Sequence, residues 1–258
     1  MEQGKILQQY EKSKVWYYIS AFFTVFLFLL AAFLIVSMLM KILPSSAFIG
    51  ALSFLFLGYF FGRIAWEHLQ TPDFIVYENG IEAYHREHEF LTFDEIGDLY
   101  FFVTGNFRFG PNNLAFRKDK SDSWKLISAH HSNNQLFDEL LNQHITFRVP
   151  YLLKQISLGE KIEFHYLDRV TAIQKNAFSF GAKSFLTDKH NTLTLDQTHL
   201  HLDGKKYPYT ELVPLRKVGA GESEIQDLTG KSILKFQDLN FWSFHVFQEL
   251  FNRLSQKA

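Results

Sequence analysis

Histidine binds metals and moves protons near neutral pH, so the eleven histidines of this 258-residue sequence are its first candidates for chemistry. The densest group is His85-Arg86-Glu87-His88-Glu89. It lacks the His-Glu-x-x-His spacing that sets two imidazoles on one helical face, and it reads as a polar turn in a strand hairpin. His199 and His201 stand two apart, on one face of a strand. No third ligand is suggested nearby, and alternation with Leu200 and Leu202 makes a solvated strand face the expected role. His130 and His131 precede a helix cap and should point apart. Thr229-Gly230-Lys231-Ser232 mimics the end of a phosphate-binding loop, but the earlier glycine that motif needs is replaced by Ile225. Gly219-Ala220-Gly221 has no helix after it, and no Gly-x-Ser-x-Gly is present. Zero cysteine excludes disulfides, thiolate zinc sites, iron–sulfur ligation and cysteine catalysis. No catalytic residue, metal or cofactor is therefore expected.

The remaining candidates are surfaces. Phe107-Arg108-Phe109-Gly110 and Phe178-Ser179-Phe180-Gly181 each place two rings on one side of an extended chain. Phe107, Phe109, Phe178 and Phe180 are candidate partner contacts if exposed and barrel-filling residues if not. Around the first strand hairpin Glu78, Glu82, Glu87 and Glu89 surround Arg86, which would repel phosphate. Lys205, Lys206, Arg216 and Lys217 form a candidate patch for anionic lipid, each contributing up to about 1 kcal/mol beside an anionic leaflet.

These residues must be positioned by two unlike halves. Mean hydropathy is only −0.08, yet the apolar residues are concentrated. Of 26 Lys+Arg and 27 Asp+Glu, residues 1–66 hold five basic (Lys5, Lys12, Lys14, Lys41, Arg63) and two acidic (Glu2, Glu11). That leaves 21 against 25 in 67–258, a net charge of about −4, which argues against a nucleic-acid partner. Residues 15–40 carry no charge, and 47–66 carry only Arg63. About 20 apolar residues span a bilayer core, so the expectation is a transmembrane helix over 15–40, a turn over 41–46 and a second helix over 47–66, with 1–14 as a cytoplasmic tail. A cleaved signal peptide would have a shorter apolar core. Lys12, Lys14, Trp16, Tyr17, Arg63 and Trp66 flank the runs as membrane-interface anchors. Basic flanks on both outer sides place both termini in the cytoplasm. Gly58 and Gly62 have the small-xxx-small spacing of close helix packing, either within the hairpin or between two copies.

After Pro72 the pattern shifts to short strands, opened by an Asn79-Gly80 turn and followed by stretches at 90–93, 99–103, 113–116 and 124–127. A helix over 135–144, capped by Asn133 or Asn134, and another from Pro150 to Gly159 follow. Strands recur at 162–166, 192–195, 200–202, 213–218 and 232–236, before an amphipathic helix over 240–255. The halves overlay weakly: Phe93-Asp94-Glu95-Ile96 on Tyr209-Thr210-Glu211-Leu212, and Leu136-Phe137-Asp138-Glu139-Leu140 on Val246-Phe247-Gln248-Glu249-Leu250.

A membrane hairpin followed by YENGIEAYHREHEFLTFDEIGDLYF, further strands and an aromatic helix resembles the bacterial pleckstrin-homology-like (PH-like) membrane proteins. The second half keeps YPYTEL and the closing helix. The resemblance implies an α+β membrane protein: an N-terminal transmembrane helical hairpin, then two PH-like β-barrel domains over 72–160 and 161–258, each closed by a C-terminal helix. It implies a binding or scaffold module at the bacterial inner membrane, recognising a protein partner, and supplies no catalytic residue. An inner-membrane immunity protein that neutralises a pore-forming toxin through the Gly58/Gly62 face is the alternative. A third reading is an enzyme whose site is assembled from residues far apart in sequence.

Overall fold

The computed structural model describes residues 4–84, 88–102, 113–128, 131, 137–168, 171, 186 and 190–257. The chain opens with a strand, β1 (Ile6–Tyr10), and leaves its sheet at once for two long helices, α1 (Lys14–Leu39) and α2 (Ala47–Gln70). It then returns to pair β2 (Asp73–Tyr77) antiparallel with β1, Tyr10 opposite Phe74. Within the expected tail over 1–14, Ile6–Tyr10 forms an edge strand of the first sheet. Its sequence, ILQQY, is too short and polar to stand out, but Tyr10 is buried among Phe74 and its neighbours.

Both helices are long and apolar enough to cross a membrane. In lipid a helix satisfies its own backbone groups, and most of their large apolar side chains face outward. What they bury is small and regularly spaced: Ala51, Gly58 and Ala65 on α2, with Ser20, Leu27 and Ala31 on α1. The seven-residue repeat on α2 keeps one seam turned toward its antiparallel neighbour. The connecting turn stops α1 with Lys41 at φ 59°, while Ile42 N–H bonds Ser37 O and Lys41 N–H bonds Met38 O.

The rest of the first unit is a meander. Strand β3 (Gly80–Tyr84) and β4 (His88–Thr92) complete a four-stranded sheet in the order β1-β2-β3-β4. Strands β5 (Asp98–Phe102), β6 (Asn113–Arg117) and β7 (Lys125–Ile127) form a separate three-stranded sheet. Gly80 is required not for its φ but for space, because a Cβ there would lie 2.3 Å from Leu91 O. The inner faces of both sheets close on Phe74, Val76, Ile81, Phe93, Leu99, Leu114 and Phe116.

The second unit repeats this plan. Strands β8 (Ile162–Tyr166), β9 (Asn191–Leu195), β10 (His199–Leu202) and β11 (Lys205–Pro208) form a four-stranded meander; β12 (Arg216–Gly219), β13 (Glu222–Gln226) and β14 (Ser232–Gln237) form a three-stranded one. Helix α4 (Phe244–Lys257) closes the core with Val246, Phe247, Leu250 and Phe251.

Closed barrels, expected from the sequence, are not formed. Each unit keeps two separate sheets, and two of the sheet edges, β5 and the end of β8, bond the segment before α4. Leu99 of β5 exchanges hydrogen bonds with Ser243, and β8 with Asn240 and Trp242. The two helices expected over 135–144 and from Pro150 are one, α3 (Asp138–Ser157), with Pro150 inside it. Proline removes one helical hydrogen bond, but here it lies on the exposed side while Leu140, His144, Val149, Leu152 and Ile156 are buried along the other. Leu140 belongs to the first core and Val149, Leu152 and Ile156 to the second. One helix therefore serves both units, and residue 160, the expected boundary, lies in the short link between the end of α3 and β8.

Candidate functional site

Three places bring functional side chains together: the root of the helical hairpin, the joint between the units, and a cleft on the second unit. At the root, Lys12 N–H donates to Asp73 Oδ1 at 2.7 Å and Lys12 Nζ to Thr71 O at 2.9 Å. His131 accepts from Ser128 N–H at Nδ1, so its Nε2–H donates to Pro72 O at 2.9 Å. Burial holds the His131 pKa below its ordinary value. Lys12 is thus committed to fastening the two ends of the hairpin. Lys14, Trp16 and Trp66 are exposed and Tyr17 half-buried near the same end, and Arg63 pairs with Glu67 one turn on, at 3.1 Å. Gly58 and Gly62 both face α1 within the same chain: a Cβ would come 3.1 Å from the Phe28 ring and 3.3 Å from Thr24 Cγ2. That face is already occupied.

The joint is built from residues far apart in sequence. Ser243 precedes α4 with φ 51° and directs its hydroxyl away from the helix. Its Oγ accepts from Leu99 N–H at 3.0 Å and donates to Gly97 O at 3.2 Å, while its own N–H bonds Leu99 O. Trp242 N–H bonds His165 O on the other side. Residues 240–243 therefore hydrogen-bond β8 and β5 together. Behind them Trp242 packs on Tyr100 and Trp124, and the Arg117 guanidinium lies 4.3 Å from the Trp124 ring while pairing with Asp98 at 2.7 Å. Burial pushes the Asp98 carboxyl up against the pull of that guanidinium. The His165 ring packs on Trp242, and its pKa is lowered to about 3, first by burial and then by the positive charge of its neighbours.

On the other flank of the joint, His144 Nε2–H donates to Ile96 O at 3.1 Å. Its Nδ1 must then accept from His245 Nε2–H, 2.9 Å away. Both rings are neutral: burial lowers His144 to about 3 and pushes His245 well below its ordinary value.

The cleft, of about 570 Å³, lies between α3, α4 and the β9–β10 turn. Leu153, Ile156, Pro208, Tyr209 and Leu254 make its floor; Ser157, Gln197, Thr198, His199 and Thr210 make a polar rim. Asp196 stiffens the turn. It accepts from Thr198 N–H, His199 N–H and His201 Nε2 (2.5 Å). Burial would raise its pKa, but those bonds prevail and hold it at about 2. Of the rim hydroxyls, Ser157 donates to Lys154 O and Thr198 lies 2.7 Å from His199 Nδ1.

The basic residues of the candidate anionic-lipid patch lie on two different sheets. Lys205 and Lys206 are exposed on edge strand β11, whereas Arg216 and Lys217 lie on β12, opposite Glu224 and Ser223, and Lys217 is held by Asp238 at 2.5 Å. Phe107, Phe109, Phe178 and Phe180 lie outside the described residues, as do His85–Glu87, His130, Asn133 and Asn134. Among the described residues no group of three or more His, Asp or Glu could hold a metal ion. Sequence reasoning missed the joint. Its one signal was buried-type polarity (Asp98, Arg117, His144, His165, Ser243) within otherwise apolar elements.

Neither a curated protein nor a solved structure matches the chain. A family model described as a family of unknown function, DUF6585, matches residues 1–212, which takes in the hairpin, the first unit, α3 and the four-stranded sheet of the second unit. The chain belongs to that family.

Proposed function

We propose that this protein is a membrane-anchored, non-enzymatic binding module. Its hairpin crosses the bacterial inner membrane with both termini cytoplasmic, and its two sheet-and-helix units, PH-like in their four-plus-three strand plan and closing helix, hold a protein partner there. The observation that carries the reading is the insertion of α1 and α2 between β1 and β2, with Lys12 fastening both ends to the sheet. The anchor and the first unit move as one piece, and the joint extends that rigidity to the cleft. A tether of this kind raises the local concentration of the module at the membrane without lipid recognition. The half-apolar, half-polar cleft supports recognition of a protein side chain or helix end, and the Phe107/Phe109 and Phe178/Phe180 pairs are further candidate contacts.

The test is affinity capture of the full chain from its own membranes, compared with a double variant, Ser157→Arg/Thr210→Arg, that fills the exposed rim of the cleft. Loss of the captured partner from a variant that remains folded is expected. Unchanged capture moves recognition away from the cleft. Capture abolished only by substitutions on the outer faces of α1 and α2 moves it into the membrane, where toxin pairing would act.

A further inference from the structure

We propose that the joint between the two units is an acid-sensitive latch, held shut by the neutral His144–His245 pair and opened when that pair gains protons. The geometry comes first. His144 is fully buried, and its two ring nitrogens are both used, Nε2 donating to Ile96 O of the first unit and Nδ1 accepting from His245 of α4. A proton on His144 Nδ1 would replace the acceptor with a second donor facing the His245 N–H. That breaks the side-chain hydrogen bond between α3 and α4, and it sets a charge beside a donor.

Among the described residues no carboxylate pairs with either ring. On α3 the nearest charged group is Arg148, a cation, whose guanidinium donates to Asp94 O. On α4, Glu249 pairs with Arg253. In the β4–β5 connection Glu95 pairs with Lys118 and the Asp94 carboxylate acts on Arg148, and on β5 Asp98 pairs with Arg117. The other faces of the pair are rings, Phe93 against His144 and Phe101 against His245. The depressed pKa values of both histidines agree with this setting. Since the closed joint holds them unprotonated, opening takes up protons below the ordinary histidine pKa of about 6.5, and acid favours the open form. With two such groups, the open-to-closed ratio rises about 10³-fold between pH 7.5 and pH 5.0 if both titrate normally when open, and about 30-fold with one.

The absence of native cysteine makes the measurement direct. The full chain, in lipid nanodiscs, is spin-labelled at Asp122→Cys on the first unit and Lys231→Cys on the second, both exposed, and the distance distribution is recorded at pH 7.5 and pH 5.0. A single narrow distance at pH 7.5 and a second, broader population at pH 5.0 are expected. His245→Gln keeps an N–H for His144 while removing one titrating ring, and should cut the pH response about 30-fold. A distance unchanged at pH 5.0, or an equal response in His245→Gln, overturns the latch. Should that variant fail to fold, amide exchange of Leu99 in the native chain decides: its protection must fall with acid more than that of Val76 in the first core, and equal loss overturns the proposal.

Discussion

Ser243 shows how much of this molecule rests on single polar contacts at the joint. A serine before a helix normally turns its hydroxyl onto the first-turn N–H groups; this one bonds Leu99 and Gly97 instead and tolerates φ 51° to do so. Ser243→Ala keeps the left-handed backbone and leaves Leu99 N–H unpaired in a buried place, so it should cost about 1–3 kcal/mol. Ser243→Gly loses the same bonds but relieves the backbone, and should be less damaging than alanine by about 1 kcal/mol. Urea unfolding of the three proteins gives the order Ser, Gly, Ala. Alanine matching or exceeding glycine would show that the positive φ carries no strain.

At the scale of elements, the hairpin is an insertion and not a preface. Joining Ser13 to Thr71 through Asn-Gly, with residues 14–70 removed, should give a soluble, folded protein, because Tyr10 and Phe74 already lie opposite each other. A protein of residues 67–258 lacks β1 and its buried Tyr10, and should be less stable by about 3–5 kcal/mol, the range for losing a large core side chain. Thermal unfolding and solubility of the two compare them directly; equal stability would mean that β1 contributes nothing. The long uncharged runs made both helices legible in the sequence, as the Phe-rich stripe did for α4 and Asn79-Gly80 for the first strand pair. The strands β1, β11 and β13 were not legible. ILQQY, KKYP and ESEIQ have too few apolar residues to alternate visibly, and their pairing comes from neighbours the sequence does not reveal. Pro150 signalled a break in α3 that burial on both sides of the proline overrides, whereas the expected stop at Gly159 is where α3 ends, with Gly159 at φ 93°. The candidate site was the least legible part, since the joint links residues up to 146 positions apart.

At the scale of the whole molecule, the sheets fix the topology of the anchor. Both ends of the hairpin enter one sheet, so on the proposed crossing the 41–46 turn and the two units lie on opposite sides of the bilayer. Single cysteines at Ser45 and Asp122, labelled with a membrane-impermeant maleimide, should react differently in intact cells: Ser45→Cys labelled, Asp122→Cys protected until lysis. Reversed labelling would invert the orientation, and labelling of both would exclude a crossing. The same insertion sets an order of assembly. On the ribosome β1 is made first, but its partner β2 emerges only after residues 11–72. Closing so long a flexible loop costs about 3–4 kcal/mol, whereas two helices packed side by side in lipid deliver its ends within strand distance. On the proposed insertion, the bilayer serves as a folding template. The first sheet is completed only once the hairpin is inserted, and a chain that misses the membrane is left with an unpaired edge, open to aggregation and to proteolytic disposal.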